Sequence, residues 1–260
     1  MADALTSFSL EGRIALVTGG AGRLGRPICH GLARAGANVL VNGRDAAKAE
    51  DFAGELRDLG YLATALPFDV TDHDRAIASI DGLERLDVLV NNAAPIQVGS
   101  IDTVAPAAFA TAAAGIVEAS FVLTRAASPL LRVQGGSVIN IASMYGMVSP
   151  DPQIYGSSGS NNPPQYGAAK AGLIQLTRYM ACHLAADRIR VNAVSPGPFP
   201  PRDRLVQDNP EFLRELERKV PMGRVGRPEE IAGVVVFLAS DASTYVTGAN
   251  IPVDGGWTAW

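Results

Sequence analysis

With 260 residues, the chain is long enough to bury a substantial core, as one large α/β domain or two small ones. Apolar residues make up 47% and charged residues 18%, which excludes extended disorder beyond the ends. The 22 basic and 26 acidic side chains leave a net charge of -4 with no long run of either sign, so neither nucleic acid nor a membrane is an expected partner.

Met1 to Leu10 lacks the basic start and apolar run of a secretory signal and reads as a loose tail ahead of a single domain over residues 11–260. Cys29 and Cys182 each fall in a stretch read as helix, so both are expected in the core. A disulfide framework is not expected, and the location implied is reducing, hence cytoplasmic. No metal site is expected. The most apolar windows, Ala105 to Thr124 and Ile231 to Ser240, read as buried helices of a soluble protein.

Arg13 to Val17 is a short apolar strand running into Thr18-Gly19-Gly20-Ala21-Gly22-Arg23-Leu24-Gly25 and a helix to about Ala35. Gly20, Gly22 and Gly25 match Gly-x-Gly-x-x-Gly in the strand–turn–helix setting that cradles a pyrophosphate on unpaired helix N–H groups. The motif alone also fits a plain turn. Asn38 to Val41 is the next strand, ending at Gly43 and Arg44, where an acidic residue would hold the ribose of NAD and a cation a 2'-phosphate. Asp45 reads as the N-cap of the helix over Ala46 to Leu59. NADP(H) is therefore preferred and NAD(H) remains possible, with Arg23 a second candidate cation.

Leu62 to Phe68 reads as a third strand ending at Asp69-Val70-Thr71, and Asp74 to Ile80 as a helix. Leu86 to Val90 is a fourth strand followed by Asn91-Asn92-Ala93-Ala94. A long Ala-rich helix runs from Pro106 to about Leu131. Ser137 to Ile141 is a strand ending at Ser143, and Ile189 to Val194 another ending at Pro196-Gly197. This alternation predicts a Rossmann-like, doubly wound parallel sheet flanked by helices, with every candidate residue at the carboxyl end of a strand. Phe199 to Val220 reads as a surface excursion around a charged helix, Glu211 to Lys219. Glu229 to Ala239 is an apolar helix and Asn250 to Val253 a last strand.

Tyr166 and Lys170 open an Ala-rich helix reaching about Ala186. Four residues apart, they share one face. A neighbouring ammonium favours phenolate and lowers the phenol pKa, which suits Tyr166 to general acid–base work. By itself the spacing fits a packing Tyr and a solvated Lys equally.

Together, Thr18 to Gly25, Asp69-Val70-Thr71, Asn91-Asn92-Ala93, Ser143, Tyr166-x-x-x-Lys170, Pro196-Gly197 and Val253-Asp254-Gly255-Gly256 resemble the short-chain dehydrogenase/reductase family, from about residue 11 to 256. The resemblance implies an NAD(P)-dependent oxidoreductase moving hydride between nicotinamide and a ketone or secondary alcohol. It makes Tyr166 the acid/base, Ser143 the partner of the reacting oxygen, and Lys170 the group that lowers the Tyr166 pKa and binds the nicotinamide ribose. Asp69 and Val70 would hold the adenine. Gly19, Gly22, Arg23, Leu24, Gly25, Asn91, Ala93, Pro196 and Gly197 would line the cofactor. The long helices resemble those through which family members pair, implying a homodimer or homotetramer, and Trp257 and Trp260 read as a tail packing locally or on a neighbour.

Four departures stand out. Arg23 replaces the middle Gly of the family turn, and the Gly19, Gly22, Gly25 spacing resembles the family's extended branch. Asn92-Ala93-Ala94 replaces Asn-Ala-Gly. Ile116 aligns with the helical Asn that organises a relay water, and no Asn lies between Asn92 and Asn140 to replace it. An insertion around Asp151 to Pro164 lengthens the Ser143 to Tyr166 spacing; Tyr155 lies nearer but has Gly159 where the Lys belongs. This loop, near 149–165, and a second near 198–222 are expected over the substrate side, where Arg202 and Arg204 are candidate partners for an acidic substrate. Redox-neutral chemistry on the same fold and a non-catalytic cofactor-binding protein are the alternatives.

Overall fold

A computed structural model describes residues 6–95, 99–156 and 161–260, and the side chains of all of these except Arg202, Arg204 and Leu205. The expected roles of Arg202 and Arg204, and residues 157–160 of the insertion, lie outside what it describes.

The strands are β1 (Ile14–Val17), β2 (Asn38–Val41), β3 (Ala63–Ala65), β4 (Val88–Asn91), β5 (Gly136–Ile141), β6 (Ile189–Pro196) and β7 (Asn250–Val253). They form one sheet in the order β3-β2-β1-β4-β5-β6-β7. All of its pairings are parallel, with Leu16 opposite Leu40 on one side and Leu89 on the other. This is the expected doubly wound sheet, and its order reverses between β1 and β4. The helices are α1 (Gly25–Arg34), α2 (Ala46–Asp58), α3 (His73–Asp81), α4 (Ala107–Arg132), α5 (Pro164–Leu184), α6 (Arg202–Asp208), α7 (Pro210–Lys219) and α8 (Ala232–Ala239).

Strand side chains alternate between two buried faces, which is why the strands read as unbroken apolar runs. Ala15, Val17, Val39 and Val90 pack with Phe52 of α2 and Leu238 of α8 on one face. Leu16, Leu40 and Leu89 meet Leu123 and Leu131 of α4 and Met180 of α5 on the other. Burying each such side chain is worth about 1.5–3 kcal/mol. By length and composition α4 could cross a membrane, but half of its most apolar window is buried against the sheet and its neighbours.

Four expectations change. The loose tail ends before Leu10, which is fully buried in the β1 face of the core and donates its N–H to the Ala35 carbonyl at 2.7 Å. Cys29 is buried but Cys182 is exposed, because the inner face of α5 is taken by Leu173, Ile174, Thr177, Met180 and Ala181. β3 is shorter than Leu62 to Phe68 because the Asn42 amide takes the Leu66 and Phe68 carbonyls at 3.0 and 3.1 Å in place of a strand ladder. The proline-rich stretch after β6 holds a helix, α6, ahead of the expected charged one.

Above the carboxyl ends of the strands sits a small third core. Met144, Ile154, Leu213, Leu216, Val220, Val225 and Trp257 draw together segments far apart in sequence, so Trp257 packs locally while Trp260 stays exposed.

Candidate active site

The β1–α1 turn is fastened by Thr18, whose hydroxyl accepts the N–H groups of Asn92 (2.9 Å) and Ala93 (3.0 Å). Gly19 has φ +61°, and a Cβ there would stand 3.2 Å from Asn92 Nδ2. A Cβ on Gly25 would lie 2.1 Å from the Gly19 carbonyl oxygen, so that glycine lets α1 close on its own turn. No side chain caps α1 at Leu24; in its first turn the Arg26 N–H donates to the Gly22 carbonyl at 2.9 Å and Pro27 has no N–H.

That groove has a volume of about 600 Å3. Gly19, Gly22, Arg23 and Leu24 line one stretch, and Arg44, Asp69 and Val70 its outer end. Ala93, Ser143, Tyr166, Lys170, Pro196 and Gly197 line the rest. Two expected residues are absent from the lining. Gly25 lies beneath the turn, as above. Asn91 ends β4 with its side chain on the opposite face, donating to Asn140 Oδ1 at 2.9 Å and more weakly to Thr124 Oγ1 at 3.4 Å. Its neighbour Asn92 lines the groove instead and donates its amide to the carbonyls of Thr18 (2.9 Å) and Gly19 (3.1 Å). A strand reverses its face at each residue, so a shift of one position moves the side chain to the other side. Asn42, Thr111, Ala142 and Phe199 also line the groove and were not singled out; only Asn42, at the end of a strand, carried a local signal.

At the outer end the exposed Arg44 guanidinium lies 3.9 Å from the Asp69 carboxylate. Partial burial works to raise the Asp69 pKa. Two hydrogen bonds from Thr71, at 2.9 and 2.7 Å, and the Arg44 charge outweigh it and hold the carboxyl below its usual range.

At the inner end the Ser143 hydroxyl hydrogen-bonds the Tyr166 phenol oxygen. Lys170 is 2% exposed, donates to the Ile141 carbonyl at 2.5 Å, and holds its Nζ 5.6 Å from the Tyr166 ring centre. The lowered Tyr166 pKa that the spacing suggests is not what this arrangement gives. Burial pushes the phenol up, opposed by the Ser143 bond, and burial pulls Lys170 down to about 7. Behind Tyr166, Ile116 is buried against Ala112, Ala169 and Leu173. It lies in a π-helical stretch of α4, Ala113–Glu118, where Gly115 admits the Pro95 ring that a Cβ would meet at 2.3 Å.

A glycine turn under a helix N-terminus, at the switch point of a parallel sheet and joined by one groove to a Ser–Tyr–Lys cluster, defines a dinucleotide-dependent oxidoreductase. Comparison with known proteins resolves the class further. The family model described as enoyl-(acyl carrier protein) reductase matches residues 20–258. The rhamnolipids biosynthesis 3-oxoacyl-[acyl-carrier-protein] reductase of Pseudomonas aeruginosa is 37% identical, over 96% of this chain and 98% of that protein. Galactitol 2-dehydrogenase (L-tagatose-forming) of Cereibacter sphaeroides is 34% identical, over 99% and 100%. A gluconate 5-dehydrogenase of Burkholderia cenocepacia J2315, solved with NADP and tartrate, superposes with a TM-score of 0.89 at 32% identity, covering 99% of this chain and 100% of that one. The chain belongs to the short-chain dehydrogenase/reductase family, and is an oxidoreductase of that family.

Proposed function

We propose that the protein moves hydride between a nicotinamide dinucleotide, NADP(H) in preference to NAD(H), and a ketone or secondary alcohol of a small polar metabolite, with Tyr166 as acid and base. The observation that carries this reading is the Ser143–Tyr166–Lys170 cluster at one end of a groove that begins at the glycine turn. The groove suits such a cofactor, because Gly19 and Gly22 line it with backbone alone, in a turn so tight that a Cβ would stand 3.2 Å from Asn92 Nδ2 at the first and 2.9 Å from the Gly19 carbonyl oxygen at the second. Arg44 and Arg23 would meet a 2'-phosphate, and Asp69 and Val70 the adenine. When bound, the cofactor supplies or accepts the hydride.

Ser143 would hold the substrate oxygen while Tyr166 gives it a proton in reduction and removes one in oxidation. Lys170 would add positive charge near the phenol and hold the ribose. The polyol and sugar-acid names among the relatives support a polar substrate.

Titration with NADPH and NADH, read by nicotinamide fluorescence and followed by a carbonyl and alcohol panel, tests this. Tighter binding of NADPH, lost in Arg44→Ala, with turnover abolished in Tyr166→Phe, is the expected result. Equal binding of both cofactors would remove the Arg44 argument. Ile116, apolar at the family's relay position, favours a second reading in which the same fold does redox-neutral chemistry; binding without turnover on any panel member would move weight to it.

A homodimer or homotetramer is part of the proposal. The exposed Phe109 and Phe121 of α4 and Tyr179 of α5 are the contacts it would bury. Sedimentation as a monomer at micromolar concentration would count against it. Cytoplasmic placement is proposed from the two free thiols, Cys29 and Cys182.

A further inference from the structure

Asn42 follows the last residue of β2 and is 1% exposed, yet it borders the groove. Every polar atom it carries is engaged. Its backbone N–H donates to the Val17 carbonyl at 3.0 Å, and its carbonyl accepts the Gly20 N–H at 2.8 Å, which seats the glycine turn on the end of β2. In the side chain, Oδ1 accepts the Gly19 N–H at 3.4 Å, and Nδ2 donates to the Leu66 and Phe68 carbonyls at 3.0 and 3.1 Å. One amide therefore joins the turn that would hold the pyrophosphate to the segment that leads into Asp69 and Val70.

These bonds call for an amide. An aspartate cannot donate and would set a carboxylate against two carbonyl oxygens; a hydroxyl has one hydrogen for two acceptors; leucine, of similar shape, would leave both carbonyls and the Gly19 N–H unpaired. The place of the bracket matters as much as its chemistry. The ladder of β2 with β3 runs out at Val41 opposite Ala65, with the Leu66 N–H donating to the Val41 carbonyl at 2.9 Å. Past that point the Asn42 amide spans the two segments. Arg44 stands two residues beyond Asn42 on one of them and Asp69 one residue beyond Phe68 on the other, and their charged groups face each other at 3.9 Å at the outer end of the groove. The Asp69 carboxylate is further fixed by Thr71, at 2.9 and 2.7 Å. Arg44 is exposed, so the reach of its guanidinium is set by where its backbone starts.

We propose that Asn42 is a positioning residue for the adenosine end of the cofactor: it fixes the separation of Arg44 from Asp69, and the preference for a 2'-phosphate depends on it. The inference rests on the NADP(H) reading above. Asn42 acts through its neighbours, because its own amide is spent on the protein. A cation held in place before the cofactor arrives loses less freedom on binding than one that must be ordered by it.

The test measures Kd for NADPH and NADH in wild type, Asn42→Ala, Arg44→Ala and the double variant, with thermal unfolding of each. Because Asn42 borders the groove, water can reach the freed carbonyls in Asn42→Ala. NADPH affinity should fall about tenfold, the size of one hydrogen bond to a charged group, and NADH affinity should fall less, so the preference shrinks. With Arg44 already removed, Asn42→Ala should change the preference no further. Equal losses for the two cofactors, or full additivity with Arg44→Ala, would make Asn42 a support of the fold alone and overturn the proposal. If Asn42→Ala does not fold, Asn42→Ser, which keeps a hydroxyl for one of the two carbonyls, reads the same ratio; failure of both to fold overturns the proposal as well. If wild type shows no preference for NADPH, the NADP(H) reading fails separately, and Asn42 is judged with ADP, which carries the adenosine and pyrophosphate alone. ADP binding weakened about tenfold in Asn42→Ala then supports the placement of Asp69 by Asn42, and unchanged binding overturns it.

Discussion

The hydroxyl of Ser143 hydrogen-bonds the phenol oxygen of Tyr166, across an insertion that separates the two in sequence. Ser143 ends the loop after β5, and Tyr166 sits in the first turn of α5, so the bond closes over the carboxyl edge of the sheet.

Because burial raises the Tyr166 pKa, the phenol is protonated at neutral pH and already loaded for reduction. Reduction should therefore be flat in rate through neutral pH and fall only at alkaline pH. Oxidation needs phenolate and should rise with pH over the same range. Ser143→Ala removes the one bond that opposes the rise, so the alkaline limb should move further up in pH and kcat should fall about 10²–10⁴-fold. Full pH–rate profiles in both directions check this, and an oxidation rate independent of pH would contradict it.

Lys170 titrates near 7 in the folded chain against 10.5 as a free side chain. Between these values the unfolded chain binds more protons than the folded one, so stability of the cofactor-free protein should rise with pH across that window. The destabilising contribution is fully present below pH 7 and fades toward 10.5. Lys170→Met should raise the Tm at pH 6.5 more than at pH 9.5, while abolishing turnover. Thermal unfolding at the two pH values decides it; equal shifts would mean that the charge has no part.

The Asp151–Lys219 pair holds the insertion turn against α7, and Lys219 is the foremost cause of the lowered Asp151 pKa. Both groups are accessible to salt, which screens exposed pairs. Lys219→Met should raise KM several-fold with a smaller change in kcat, and wild type in high salt should drift the same way. A KM insensitive to both would uncouple the two segments.

Leu10 anchors the chain ahead of β1. Leu10→Ala should cost about 2–5 kcal/mol, as for other large-to-small changes in a core. Urea unfolding gives the value, and a change below about 0.5 kcal/mol would return Leu10 to a loose tail.

Much of this was legible in the residues. The alternation of apolar strands with Ala-rich helices announced the parallel sheet, and β2 and β7 have the expected limits because apolar runs and turn residues bound them locally. Asp45 caps α2 as expected, accepting the Lys48 N–H at 3.1 Å. The misreadings arose where distant parts of the chain compete. Asn91 and Asn92 are adjacent and identical in type, and only pairing with Asn140 decides which faces the groove. Cys182 follows the same helical pattern as its buried neighbours but lies on the face the sheet does not reach. Thr111 and Phe199 reach the groove from elements whose own sequences give no sign of it.

The sequence by itself determined the order of strands and helices, the glycine turn and the Tyr–Lys spacing, because backbone sterics and side-chain periodicity act over a few residues. Tertiary structure alone decided that Tyr166 is pushed up rather than down, that Lys170 is buried, and that the insertion packs on α7. Each of those outcomes depends on water excluded by residues far away in the chain, and desolvation has no local signature.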